Sequence, residues 1–130
     1  MKKYSKAWVL QDTINFYTLE NRAVDCFGSC QYLTKSGKRC AIGRFLKKGY
    51  EKDLIDCNAP AKKLIFITQF QTIIPSWMKK TNLSFLTEIQ TLHDNPGCWT
   101  NTGLSNRGLA IVKNICEEHK IKFESLTIKQ

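Results

Sequence analysis

The sequence predicts a mainly helical α+β domain with one small β-hairpin, and three observations predict it. Apolar residues recur at helical spacing in several separated stretches. Between Val24 and Gly49 that spacing is lost, while glycine and cysteine become frequent. The chain has 130 residues, the common size of one domain, and no linker-like run divides residues 1–130.

The elements follow in order. Ser5 is suited to cap a first helix over Lys6–Asn21, with Leu10, Ile14 and Tyr17 at i, i+4, i+7. Trp8, Phe16 and Tyr17 then read as core residues rather than as a stacking platform. Gln31–Thr34 reads as a short strand, Lys35–Lys38 as a turn with Gly37 supplying positive φ, and Arg39–Ile42 as the returning strand. Gly43 either opens a helix or lets another backbone approach. Asn58-Ala59-Pro60 reads as a helix start, followed by Leu64, Ile67 and Phe70. Pro75 ends that segment and opens a short helical turn through Trp77 and Met78. A further helix covers Ser84–His93, and Asn95-Pro96-Gly97 stops it. A loop from Trp99 to Gly103 leads to a last helix capped by Ser105, with Leu109, Val112 and Cys116 on one face. Ile121 and Phe123 suggest a terminal strand.

A domain of this length buries roughly two thirds of its unfolded surface, so it needs neither disulfide nor metal to fold. The apolar run Ala7–Leu10 is too short for a signal-peptide core. No stretch approaches the roughly 18 apolar residues of a membrane span. These features predict a protein of the host-cell cytosol with no membrane partner, whose six cysteines stay reduced.

The net charge is +9. Seven cations crowd Lys35–Lys52, namely Lys35, Lys38, Arg39, Arg44, Lys47, Lys48 and Lys52, against Glu51 alone. Such a field attracts nucleotides, nucleic acid or an acidic protein surface. A solvated basic face is the plainer explanation of a charge run.

Catalytic and metal motifs are weak by comparison. Cys26, Cys30, Cys40 and Cys57 offer only one short pair, whereas structural zinc sites favour two. His93-Asp94 resembles a metal dyad, but His119 is the one other histidine. The end of a helix suits His93 without any metal. Cys98, in a loop five residues after His93, is the best thiol nucleophile by expected exposure, with His93 or His119 as base. Neither G-x-x-x-x-G-K-[ST] nor G-x-G-x-x-G is present. Anion contact therefore falls to direct arginine and lysine contacts, with Arg39 and Arg44 suited to bidentate phosphate binding.

One set of residues carries a resemblance. It comprises Cys30-x-Tyr32, Gly37-Lys38-Arg39-Cys40-Ala41-Ile42-Gly43, Tyr50, Phe85-Leu86-x-x-Ile89-Gln90-x-Leu92-His93-Asp94, Trp99, and Gly103-Leu104-Ser105-x-x-Gly108. This pattern, over residues 22–116, resembles a recurring one in uncharacterised small proteins of bacteriophages and bacteria. It implies a phage or mobile-element accessory protein. Lys47-Lys48 replace the acidic residues usual after the Gly43 position.

Taken together, these readings predict a binding protein without a cofactor rather than an enzyme. It holds a nucleotide signal or nucleic acid through Lys38, Arg39, Arg44, Lys48 and Arg107, with Tyr32 or Trp99 as stacking surface. In a phage setting such binding counters host defence. Two alternatives stay open: an inhibitor or adaptor docking on an acidic host protein, and a small thiol- or metal-dependent enzyme. The sequence leaves the oligomeric state open, with a homo-oligomer among the possibilities.

Overall fold

A computed structural model describes residues 1–23, 38–46 and 74–130. The expected strand Gln31–Thr34, its turn through Gly37 and the expected helix from Asn58 lie outside the described residues. The described chain is mainly helical with a small two-stranded antiparallel sheet, the expected α+β class.

Helix α1 spans Lys6–Phe16, where Ser5 Oγ accepts the Trp8 N–H as cap. Val9, Leu10, Thr13 and Ile14 form its buried side. The helix stops five residues short of the expected Asn21. Tyr17 turns to extended backbone, and Asn21 seals the end by accepting the Thr18 N–H and donating to the Phe16 carbonyl. The break lets the fully buried Tyr17 donate its hydroxyl to the Arg39 carbonyl at 2.6 Å. Phe16, expected in the core, is 47% exposed and lies against Arg44. Trp8 is half-buried.

Arg39 makes a β-bridge, but the segment does not continue as a strand through Ile42. Cys40, Ala41 and Ile42 are buried in a turn, and the Arg44 N–H bonds the Cys40 carbonyl. Gly43–Phe45 then forms one 3₁₀ turn. The apolar pattern there reflects a tucked turn rather than a sheet face.

Helix α2 spans Ser76–Lys80 behind Pro75, as expected. Helix α3 spans Leu83–Asp94 and starts at Asn82, whose side chain accepts the Phe85 N–H. Its far end is held by Arg22, which donates to the His93 and Asp94 carbonyls at 3.3 and 3.1 Å. A buried guanidinium there meets the negative end of the helix.

The sheet sits where a loop was expected. β1, Trp99–Thr100, pairs antiparallel with β2, Gly103–Leu104. Asn101 and Thr102 make the connection. Gly103 has φ +152°, and a Cβ there would come within 2.3 Å of the Lys129 carbonyl oxygen, so the position demands glycine. Leu104 donates to that same carbonyl, which ties down the C-terminal tail.

Helix α4 spans Asn106–His119 with Ser105 as cap, accepting the Gly108 N–H at 3.0 Å. Its first turn lies so close to the α3–β1 connection that a Cβ on Gly108 would sit 2.2 Å from the Cys98 carbonyl oxygen. Lys120 ends the helix in the left-handed region at φ +56°. The expected terminal strand is instead a 3₁₀ turn at Phe123–Ser125. No described helix is long and apolar enough to cross a membrane.

Candidate functional site

Of the cations singled out in the sequence, the described arginines Arg39 and Arg44 are half-buried, whereas Lys38 and Arg107 are exposed. Lys38 is exposed and donates to the Glu20 carbonyl at 2.7 Å. Arg39 is half-buried and donates to the Gly43 carbonyl at 3.2 Å. Arg44 pairs with Asp12, and its guanidinium carbon stands 4.0 Å from the centre of the Phe16 ring. The Arg44 side chain is only 15% exposed, and its Nη1 is buried with no hydrogen-bond partner among the described residues. Much of its charge is thus spent inside the fold. Tyr32 and Lys48 lie outside the described residues.

Trp99 is buried, and its indole N–H donates to the Leu92 carbonyl at 2.8 Å. It closes the core and presents no open ring face for a base. Arg107 is exposed in the first turn of α4, beside Gly97 and Cys98.

The expected catalytic groups are also structural in their surroundings. Cys98, expected to be exposed, is fully buried. Burial raises its thiol pKa, against the pull of Arg107 and Arg22. A reactive cysteine needs the opposite shift. His93 accepts the Ala23 N–H on Nε2 at 3.1 Å, so its proton sits on Nδ1 and is donated to Asp94 Oδ1 at 2.8 Å. Burial lowers its pKa more than Asp94 raises it. The ring thus stays neutral near pH 7 and joins the Asn21–Ala23 segment to the end of α3.

A second cluster joins His119 to two residues not singled out in the sequence, Glu88 and Glu118. Their ligand atoms all lie within 4.8 Å of one another. His119 Nδ1 faces the Lys6 ammonium at 3.3 Å, which fixes that nitrogen as the acceptor. Nε2 then donates to Glu88. Burial, followed by the hydrogen bond with Glu118, raises the Glu88 pKa, and His119 pulls it down. Both imidazole nitrogens are occupied within the fold, and the network links α1, α3 and α4.

A different place combines charge with access. Lys2, Lys3, Tyr4, Ser5, Trp77, Lys80 and Thr81 line a cleft of about 400 Å³ between the N-terminal turn and α2. Among the described residues, no carboxylate lines it. The N-terminal turn is closed by the Ser5 N–H on the Lys2 carbonyl at 3.1 Å. Tyr4 occupies its third position at φ +65°, where glycine or asparagine is usual. A left-handed tyrosine costs roughly 1–2 kcal/mol. In return its ring lies parallel to Trp77, with centres 4.9 Å apart and planes 4° from parallel. A larger open hollow of about 590 Å³ is lined by Thr100, Thr102, Leu104, Ser105, Asn106 and Gln130, with no charged side chain among the described residues of its lining.

Sequence reasoning missed the cleft because its lysines do not form a run. Lys2 and Lys3 precede α1, while Lys80 ends α2. The one available signal was the cation-rich start, Lys2, Lys3 and Lys6, followed by aromatics. Comparison with protein-family models, with curated proteins and with solved structures gives no match, so the chemistry of the site is argued from its own residues.

Proposed function

We propose that the chain is a non-enzymatic accessory protein of a phage or mobile element that binds an anionic ligand. The phage setting rests on the residue pattern around Gly37–Gly43 and Phe85–Gly108. The binding reading is carried by one observation: three lysines, Lys2, Lys3 and Lys80, line one accessible cleft, and none of the described residues of its lining is a carboxylate. Lysine offers a mobile point charge with three donors, suited to phosphate oxygens. The +9 net charge draws anions toward the whole molecule, and the exposed Lys38 adds to that field. In a phage setting, such binding removes a host signal or covers a host nucleic acid.

Calorimetry with tripolyphosphate tests the reading. Binding is expected, and it weakens as salt is raised, because exposed charges are screened. Exchanging Lys2, Lys3 and Lys80 together for glutamate is expected to weaken it by at least roughly tenfold. The absence of any salt-sensitive heat overturns the proposal. If the protein binds no anion and native mass spectrometry of a host lysate shows one stoichiometric protein partner, the adaptor reading takes its place.

A further inference from the structure

Three lysines select negative charge, but they do not require rings, and the cleft is built on rings. Tyr4 stacks on Trp77, the edge of Trp8 meets Tyr4 at 5.1 Å, and Phe45 meets Trp77 edge-on at 5.2 Å. The group is not a buried core: Tyr4 is 38% exposed, while Trp8, Phe45 and Trp77 are half-buried. The backbone at Tyr4 is one that glycine would adopt more readily, yet a tyrosine stands there with its ring in register with the indole. Lys3 Nζ lies 5.2 Å from the centre of the tyrosine ring, so positive charge and aromatic surface are adjacent within one side chain's reach.

We infer that the ligand of this cleft carries an aromatic ring beside its phosphate, the chemistry of a nucleotide, either free or as an unpaired unit of a single strand. This rests on the anion-binding reading above. A base extending the Tyr4–Trp77 stack uses the exposed aromatic surface, and stacking tolerates any base. The phosphate then falls to Lys2, Lys3 and Lys80. The Ser5 hydroxyl, whose oxygen already accepts the Trp8 N–H, still has its own proton to donate. The start of α1 holds no acidic residue in its first turn, so the positive end of the helix adds to the same field. The cleft volume lies within the roughly 300–1,000 Å³ of small-ligand sites, so one nucleotide fills it and a strand runs beyond it.

The test compares three probes on the full chain: tripolyphosphate, adenosine triphosphate and an oligothymidylate. Calorimetry gives affinity, and quenching of tryptophan emission reports a ring arriving at Trp77. The nucleotide or the oligomer is expected to bind roughly tenfold tighter than tripolyphosphate and to quench emission. Tyr4→Gly removes the ring and suits the left-handed turn. It is expected to bring the nucleotide down to the tripolyphosphate level while leaving tripolyphosphate affinity unchanged. Tyr4→Phe keeps the ring and is expected to bind as the parent does. A preference for adenosine triphosphate marks a free nucleotide as the source, and a preference for the oligomer marks a strand. Equal binding of all three probes, insensitive to Tyr4→Gly, overturns this inference and leaves anion binding intact. Nucleotide binding that survives Lys80→Glu overturns it as well, because the site then lies elsewhere. If even tripolyphosphate fails to bind, both readings fall.

Discussion

His93 and Lys80 sit on neighbouring helices and show two opposite uses of polar side chains. Around His93, donors and acceptors answer one another: Ala23 donates to the ring, the ring donates to Asp94, and Gln90 donates to the same carboxylate oxygen at 3.0 Å. Lys6, His119 and Glu88 repeat this arrangement between α1, α4 and α3. Around Lys80 the cleft gathers three lysines, and no carboxylate lines it among the described residues. The first region spends its polarity on holding elements together. The second leaves charge facing solvent. Residues that look chemical in a sequence, such as His93-Asp94 and Cys98, belong to the first region, whereas the accessible positive charge belongs to the second.

This contrast predicts a double dissociation between stability and binding. The largest effect is expected from Gly108→Ala. Its Cβ would meet the Cys98 carbonyl oxygen, which is backbone and has little room to move. A loss of about 3 kcal/mol is expected in urea unfolding. Anion affinity of the folded fraction should not change, and a binding defect without a stability defect would blur the two regions.

Next comes His93→Leu, which leaves the Ala23 N–H without its acceptor in a buried place. A loss of about 2 kcal/mol is expected. The parent should also show a pH signature here. The folded pKa of His93 lies below its ordinary 6.5. Stability from this group is therefore full above about 6.5 and is lost as pH falls toward the folded value, because the unfolded chain takes up the proton first. Urea midpoints at pH 7.5 and 5.5 should differ in the parent, and less in the variant. Equal pH dependence would move its origin to another group.

Lys80→Glu should do the reverse. Its side chain is exposed at the end of α2, so stability is expected to change by less than about 0.5 kcal/mol while tripolyphosphate affinity falls. The smallest effect is expected from Glu88→Gln. The folded pKa of Glu88 is raised, so its contribution to stability is fully present below the unfolded value and is lost as pH rises through the folded one. Near pH 7 the neutral amide should match or slightly exceed the parent in thermal melting. A marked loss there would show that the carboxylate charge itself holds the helices.

The helix starts were readable because a cap is a local event. Ser5 and Ser105 each accept an N–H three residues on, as their place before an apolar stripe implied. Pro75 and Asn95-Pro96-Gly97 bound helices for equally local reasons. The end of α1 was not readable, because Asn21 closes it from beyond the apolar stripe. The hairpin was expected at Gln31–Thr34 and Arg39–Ile42, of which the first strand lies outside the described residues, while the described sheet lies at Trp99–Leu104. A two-residue strand has too little alternation to show, and buried turns such as Cys40–Ile42 imitate it.

The candidate site divides the same way. By itself, the sequence determined the helical α+β class, the Ser5 and Ser105 caps and a net charge that draws anions. Periodicity, capping and composition are properties of neighbouring residues, so they survive without a fold. Tertiary structure decided which charges stay available. Arg44 lies within the dense run Lys35–Lys52, but Asp12 and Phe16 take it up, while sparse lysines from the N-terminus and from α2 meet around Tyr4 and Trp77. A charge attracts a ligand only where nothing nearer neutralises it, and nearness in space is not written in the order of the chain.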